Sequence, residues 1–380
     1  MTTVRRTEYS IGEPELYMAF ELGVKQWKLG FSSGGDDRVR RRTIAAGDLV
    51  ALGQEIGWAQ EKLGLPEDVV VHSCYEAGLE GFWLHRHLTE QGIVNVVVDS
   101  ASIEVNRRQR RAKTDRLDVQ KLVWMLQRYH HGEPAVWHVL HVPSVAAEDG
   151  RQLHRQLVSF RRDRTRHSNR IWGLLRTQGV ELKPDKDFLE GVQQARLPHG
   201  APLPSELQRR LRREYQQVRN TQQLISEIEA ERRERIATEE THEMQMVRRL
   251  LRLRAIGENT AWVLVMEFFG WREFRNRREV GALAGLAPTP YQSGESYREQ
   301  GINKAGNTWV RRAMIEVTWQ WLRYQPDSVL TQWFVERYAD AGKAARKRGC
   351  TAVARKLLIA LWKYLETGTI PEGAMLKPSL

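Results

Sequence analysis

Apolar residues fall in short blocks over the first hundred positions and in three-and-four spacings over much of the rest. Residues 17–22, Tyr-Met-Ala-Phe-Glu-Leu, are apolar except for one acid near the end and read as a buried strand. After Gly23 a second strand, Gln26–Ser32, is predicted. The turn Ser33-Gly34-Gly35-Asp36-Asp37 leads to a third near Arg40–Ala45. A helix over about 48–62 precedes a fully apolar strand, Asp68–Ser73, with Glu76 just past it. A helix over 80–91 and a fifth strand, Asn95–Asp99, complete the series. Three early strands, then strands alternating with helices, predict a mixed sheet covered on both sides.

The pattern then changes period. One long helix is expected over 146–179, and the segment 182–204, with Pro184, Pro198, Pro202 and Pro204, reads as a loop or excursion. A second long helix carries the stripe Leu207, Leu211, Tyr215, Val218, Gln222, Ile225 and Ile228, which is coiled-coil spacing. That stripe fits an antiparallel hairpin within one subunit as well as a dimerising arm. Residues 250–270 read as two short helices joined at Ile256-Gly257-Glu258-Asn259, resembling a helix-hairpin-helix module. A helix that starts after glycine offers free backbone N–H groups to a phosphate. The tail, 326–367, is helical, broken at Ala341-Gly342-Lys343.

Charge adds a partner class. The chain of 380 residues has 59 basic and 47 acidic side chains, a net charge of +12. The bases cluster at Arg38–Arg42, Arg107–Lys113, Arg161–Arg166, Arg209–Arg213, Arg248–Arg254 and Lys343–Arg348. Such runs are ordinarily solvated faces, but six of them with a positive balance favour a polyanion, most simply nucleic acid. With only Cys74 and Cys350, a disulfide framework and cysteine-based zinc sites are excluded, which fits a reducing cytoplasm. No apolar run reaches membrane length, and no secretory leader is expected.

The candidate chemistry begins with acids. In Lys113-Thr114-Asp115-Arg116-Leu117-Asp118 two carboxylates share one helical face that continues into Leu122, Met125 and Tyr129. Alone, Thr114 capping a helix with acids in its first turn explains the hexapeptide. Beside them lie Arg107, Arg108, Arg110, Arg111 and Lys113, candidate nucleic-acid contacts. Glu21 on the first strand, Glu76 after the fourth, and Asp115 and Asp118 after the fifth can meet, because active groups of open sheets gather at strand ends. This is the order of elements and acids expected of a ribonuclease H-like nuclease domain. Acids so placed could hold a metal, and the bases beside Asp115 and Asp118 could hold a phosphate.

The second candidate is a hydroxyl. Leu283-Ala284-Gly285-Leu286-Ala287-Pro288 leads to Ser293-Gly294-Glu295, then to Gly301-Ile302-Asn303-Lys304-Ala305-Gly306-Asn307. Ser293-Gly294 is by itself a turn. Here it sits on a tight loop with Arg298, Lys304, Arg311 and Arg312 close in sequence, cations that could stabilise a phosphate under attack. No His–Asp pair lies nearby in sequence, so a hydrolase triad is poorly supported.

Acids and serine loop together resemble the insertion sequence 110 transposases. The stretches that carry the resemblance are Tyr75-Glu76-Ala77-Gly78, residues 113–118, Gly285-Leu286-Ala287-Pro288, Ser293-Gly294-Glu295 and residues 301–307, spread over nearly the whole chain. The resemblance implies a RuvC-like DEDD nuclease domain at 1–145, a helical coiled-coil region at 146–250 and a C-terminal transposase domain at 251–380. It implies Glu76, Asp115 and Asp118 as metal-binding acids and Ser293 as nucleophile. It also implies DNA recombination guided by a bridge RNA, in a dimer or tetramer whose serine and acids come from different subunits, in the cytoplasm and on the nucleoid when bound to DNA. One departure stands out: the first acid of the family is Asp, whereas Phe20-Glu21-Leu22-Gly23 puts a longer Glu there. Two other functions stay open, a metal-dependent junction-resolving nuclease in which water attacks, and a non-catalytic RNA-binding relative.

Overall fold

The computed structural model describes residues 14–34, 38–78, 80–103, 115–293 and 296–378, and within these the side chains at 115–118 and 290–300 are outside the description. The chain divides into two compact units, 1–142 and 143–380.

The first unit is built on five strands: β1 (Glu15–Leu22), β2 (Gln26–Ser32), β3 (Arg40–Ala45), β4 (Val70–Glu76) and β5 (Val94–Val98). Their order is β3-β2-β1-β4-β5. β2 lies antiparallel to β1 and β3, whereas β4 lies parallel to β1 and β5. Helices α1 (Leu49–Leu63), α2 (Trp83–Glu90) and α3 (Asp115–His130) follow β3, β4 and β5. β1 is apolar on both faces because both are covered, as central strands require. Leu16, Met18 and Phe20 pack with Leu52 and Ala59 of α1 and Leu84 and Leu88 of α2. Tyr17 and Ala19 pack with Leu122, Val123 and Leu126 of α3. The fourth strand runs later than the sequence indicated, so Glu76 is its last residue rather than a turn acid beyond it.

In the second unit, α4 (Val145–Asp149) is separated from α5 (Gln152–Arg176) at Gly150-Arg151, so the long helix expected from 146 is two pieces. α6 (Phe188–Gln194) lies within the stretch read as a loop, where Phe188 and Val192, four apart, bury against Ile171, Leu175 and Tyr215. The prolines bracket α6 and do not interrupt it. α7 (Ser205–Thr238) runs back along α5: Leu157 packs with Ile225 and Ile228, while Ile171 and Leu175 pack with Leu211 and Val218. The α7 stripe is therefore covered by its own chain, the hairpin alternative. Thr221, not Gln222, is its buried middle position. α8 (His242–Leu251), α9 (Glu258–Leu264), a π-helical turn (Val265–Phe269), α10 (Arg277–Leu283), β6 (Pro288–Ser293), β7 (Ser296–Ile302), α11 (Thr308–Tyr324), α12 (Val329–Tyr338) and α13 (Lys343–Thr367) follow. Their largest apolar cluster is formed by Trp262, Phe268, Met314, Trp321, Leu357 and Leu361 with their neighbours. No helix among the described residues is long and apolar enough to cross a membrane.

Candidate active site

Side chains alternate along a strand, so Tyr17, Ala19 and Glu21 share one face of β1, and His72, Cys74 and Glu76 share one face of β4. Ala19 pairs with Cys74 and Phe20 with Tyr75, which makes Glu21 and Glu76 the next residues in a parallel register. Adjacent strands are about 4.8 Å apart. The two glutamates line one cavity of about 140 Å3 with Phe20, Leu22, Ala77, Gly78 and Glu80. Two residues 55 positions apart are thus neighbours at the carboxyl ends of two strands.

α3 covers that same face and runs opposite to β1. Its last turn lies at the start of the strands: the His130 ring centroid is 6.1 Å from that of Tyr17 and 3.9 Å from that of His72. Gln127 Nε2 donates to Ser32 Oγ at 2.9 Å, and Cys74 Sγ lies 3.8 Å from the Leu122 carbonyl. Val119 sits over Gly30, where a Cβ would come within 2.3 Å of its Cγ1; the glycine lets the helix settle on the sheet. Gly30 pairs with Ala19. From Val119 back to Asp115 is about 6 Å of helix, and from Ala19 to Glu21 is about 7 Å of strand. The first turn of α3, with Asp115 and Asp118 in it, therefore begins at the end of the sheet that carries Glu21 and Glu76. The side chains of both aspartates lie outside the described residues, as do Arg107, Arg108, Arg110, Arg111 and Lys113 altogether. Among the described residues no three His, Cys, Asp or Glu side chains come close enough to hold a metal.

Ser293 belongs to the second unit and is the last residue of β6, pairing with Ser296 of β7. The tight loop read from the sequence lies at 294–295, outside the described residues, as do the side chains of Ser293 and Arg298. What is described is how the base of the β6–β7 hairpin is pinned. Asn303 N donates to Ala287 O at 3.0 Å and Asn307 N to Leu283 O at 2.7 Å. Arg311 Nη1 donates to the Lys304 and Gly306 carbonyls at 2.9 and 3.4 Å. Gly285 has φ +66°, and a Cβ on Gly306 would lie 2.2 Å from both Gly285 N and Leu283 O. The glycine-rich stretches on either side of the serine thus form a clasp that only hydrogen atoms can fit. Because the clashing atoms are backbone, Gly306→Ala is expected to destabilise by about 3 kcal/mol. A urea titration of the full chain that leaves its midpoint unmoved would contradict that.

Beneath the clasp is a group of residues that sequence reading missed. Glu267, in the π-helical turn, is 1% exposed. It accepts from Arg155 Nε at 2.8 Å and Nη2 at 3.1 Å, and lies 2.9 Å from His154 Nε2. Asn307 Nδ2 donates to its backbone and side-chain oxygens at 3.2 and 3.3 Å. Asn307 also caps α11, accepting from Trp309 N and Val310 N. Burial pushes the Glu267 carboxyl up, but the hydrogen bonds from His154 and Arg155 outweigh it and hold the pKa at about 2. A buried His–carboxylate pair therefore lies beneath the clasp, and it does not make a triad with the serine, whose side chain is outside the description. It is assembled over 113 residues, and no local spacing signals it. Both side chains are buried, so the pair braces the fold instead of facing substrate.

Residues 247–332, which include the clasp and Glu267, match the family described as transposase IS116/IS110/IS902. Over 377 residues the chain is 38% identical to the Sinorhizobium fredii protein named "Putative transposase y4rJ", covering 95% of this chain and 94% of that one. The chain belongs to this transposase family. It is also 28% identical over 224 residues to the Yersinia enterocolitica transposase for insertion sequence element IS1328, covering 57% of this chain and 63% of that protein.

The family match also takes in the junction of α8 and α9, where the helix-hairpin-helix was expected. α9 starts after Gly257, and Ala255 takes a left-handed φ of 74° to make the bend. Lys377 Nζ donates to Ile256 O at 2.8 Å, so the C-terminal tail ties the bend down. A cavity of about 560 Å3 opens there, lined among others by Arg254, Gly257, Thr260, Tyr324 and Lys377. Of the other expected nucleic-acid contacts, Lys304 is exposed with φ 58°, Arg311 is committed to the clasp, and Arg312 pairs with Glu316 at 2.8 Å.

Proposed function

We propose that the chain cuts and rejoins DNA as the recombinase of an insertion sequence. Ser293 is its nucleophile, Glu21, Glu76, Asp115 and Asp118 hold Mg2+, and a guide RNA selects the DNA. The observation that carries this reading is the neighbouring register of Glu21 and Glu76 on the sheet face where α3 starts. Strand order and acid order both agree with a ribonuclease H-like domain. Membership in a transposase family supports DNA as substrate. The acids are all oxygen donors, the set Mg2+ prefers. Bound Mg2+ would neutralise charge on a phosphate oxygen.

The chain's own steps are few. Ser293 Oγ loses its proton and bonds to phosphorus; the bond from phosphorus to the 3′ oxygen breaks, and that oxygen takes up a proton. The phosphoserine ester keeps the energy of the broken bond, so a second 3′ hydroxyl can reverse the step on another strand without a nucleotide cofactor. The pinned hairpin holds the serine in place, since a misplacement of about 1 Å can cost on the order of 10²-fold in rate. Sequence choice resting on base pairing would leave the protein to hold backbone and shape, a role for its exposed cations.

The test is to incubate the chain with DNA ends of its element and the adjacent non-coding RNA, with and without Mg2+. A protein–DNA adduct should form only with the metal, and peptide mapping should place the nucleotide on Ser293. Adduct on another residue, or cleavage without adduct, would refute the reading. Glu76→Gln should lower cleavage by about 10²- to 10³-fold while DNA binding persists; an unchanged rate would remove Glu76 from the site.

A further inference from the structure

Several arginines of the second unit are engaged by the protein itself. Arg161 pairs with Glu229, Arg164 Nη1 donates to Gln222, and Arg170 pairs with Glu214. Arg248 pairs with Glu240, and Arg249 donates to the Leu365 carbonyl. The segment Trp271–Glu279 differs. Arg272, Arg275, Arg277 and Arg278 fall within seven residues of one another, outside the six basic runs named above, and form no ion pair among the described residues. Of its two acids, Glu279 is committed to the Arg275 backbone N–H at 2.7 Å, and Glu273 is exposed.

Arg272 is held in place. Its guanidinium carbon lies 4.2 Å from the Trp271 ring centroid and 5.5 Å from that of Phe268. Arg151 stacks on the same indole at 4.3 Å, so two cations are gathered on one ring. Arg272 Nε is buried without a hydrogen-bond partner among the described residues. Burial and then Arg151 lower its pKa to about 10, a cost that a bound anion would relieve. The segment links the Glu267 turn to α10, which ends at the clasp of the serine hairpin.

We propose that Arg272, steadied on Trp271 and flanked by Arg275, Arg277 and Arg278, is a subsite for a phosphodiester of the DNA substrate. A stacked guanidinium is pre-oriented and keeps its in-plane donors for a phosphate. The inference rests on the DNA-recombinase reading above and names where that DNA is gripped beside the serine hairpin.

The test is binding of the full chain to a labelled DNA duplex and an RNA duplex of the same sequence, between 50 and 300 mM salt. Arg272→Gln and Arg272→Ala should weaken DNA binding about 3- to 10-fold and shrink the log–log salt slope by about 1. Arg128→Ala, which removes a cation already paired with Glu133, should leave the slope unchanged. Folded Arg272 variants with wild-type affinity and slope overturn the subsite, as does a loss confined to RNA. Failure of both variants to fold makes Arg272 a packing residue and also overturns it. A wild-type chain that binds no duplex even when supplied with the non-coding RNA adjacent to its element would sink the recombinase reading as well, so the two failures are distinguishable.

Discussion

Ser293→Ala is expected to abolish the covalent protein–DNA adduct and lower strand cleavage by about 10⁴-fold or more, with DNA affinity within a factor of about two of wild type. The size follows from the role proposed for the hydroxyl. A nucleophile that forms the intermediate has no substitute in the site, and the residual rate is what positioning and charge can do for water. The substitution removes one oxygen from the end of β6 and touches none of the bonds at Ala287, Lys304, Gly306 or Asn307 that pin the hairpin. Stability should therefore stay within about 0.5 kcal/mol of wild type. That pairing of a large kinetic effect with a small thermodynamic one separates the reading from both alternatives. In a metal-dependent nuclease water attacks, and Ser293→Ala would cut at the wild-type rate. In a non-catalytic RNA-binding relative the wild type would show no cleavage to lose. Gly306→Ala gives the complementary pattern, since it should unseat the hairpin with Ser293 still in the chain.

The first unit was largely legible in the sequence because its elements declare themselves locally. β1 and β5 are short apolar blocks bounded by glycine or polar turns, and β2 and the arginine-rich β3 fall where the pattern places them. The acids could be nominated because strand ends are where open sheets place their chemistry. Their pairing could not, since the β1–β4 register depends on residues about 55 positions apart. The second unit was less legible. α6 hides among prolines because only two of its residues need burial. The stripe of α7 specifies that something apolar covers it, but the partner turned out to be α5 of the same chain. The glycines around Ser293 were read as loop signals near a nucleophile. Their structural reason is the contact of Gly285 with Gly306, invisible until both backbones are in place. Glu267 sits in the apolar run Val265-Met266-Glu267-Phe268-Phe269. One acid in such a run is the available signal, because a charge buried there must find partners.

Glu267→Ala is expected to be the most destabilising of the substitutions considered, at about 3–5 kcal/mol. It leaves Arg155 and His154 beside an emptied, water-poor space and takes an acceptor from Asn307. For a unit of this size that corresponds to a fall in Tm of about 10 °C. The pH dependence identifies the cause. The Glu267 pKa is lowered from 4.5 to about 2, so the folded state favours the carboxylate more than the unfolded state does. That contribution is fully present above pH 4.5 and is lost as pH falls through about 2. It is worth about 3 kcal/mol. Scanning calorimetry should therefore find wild type and Glu267→Ala far apart at neutral pH and converging between pH 4.5 and 2. A gap that stays constant across that range would mean that the carboxylate's charge is not what holds the turn. The consequence for activity is indirect. Asn307 joins the brace to the first turn of α11 and, through Leu283, to the clasp. Loosening Glu267 should therefore cost strand cleavage even below the melting transition, and Glu267→Gln, which can still accept from Arg155, should recover more of it than Ala does.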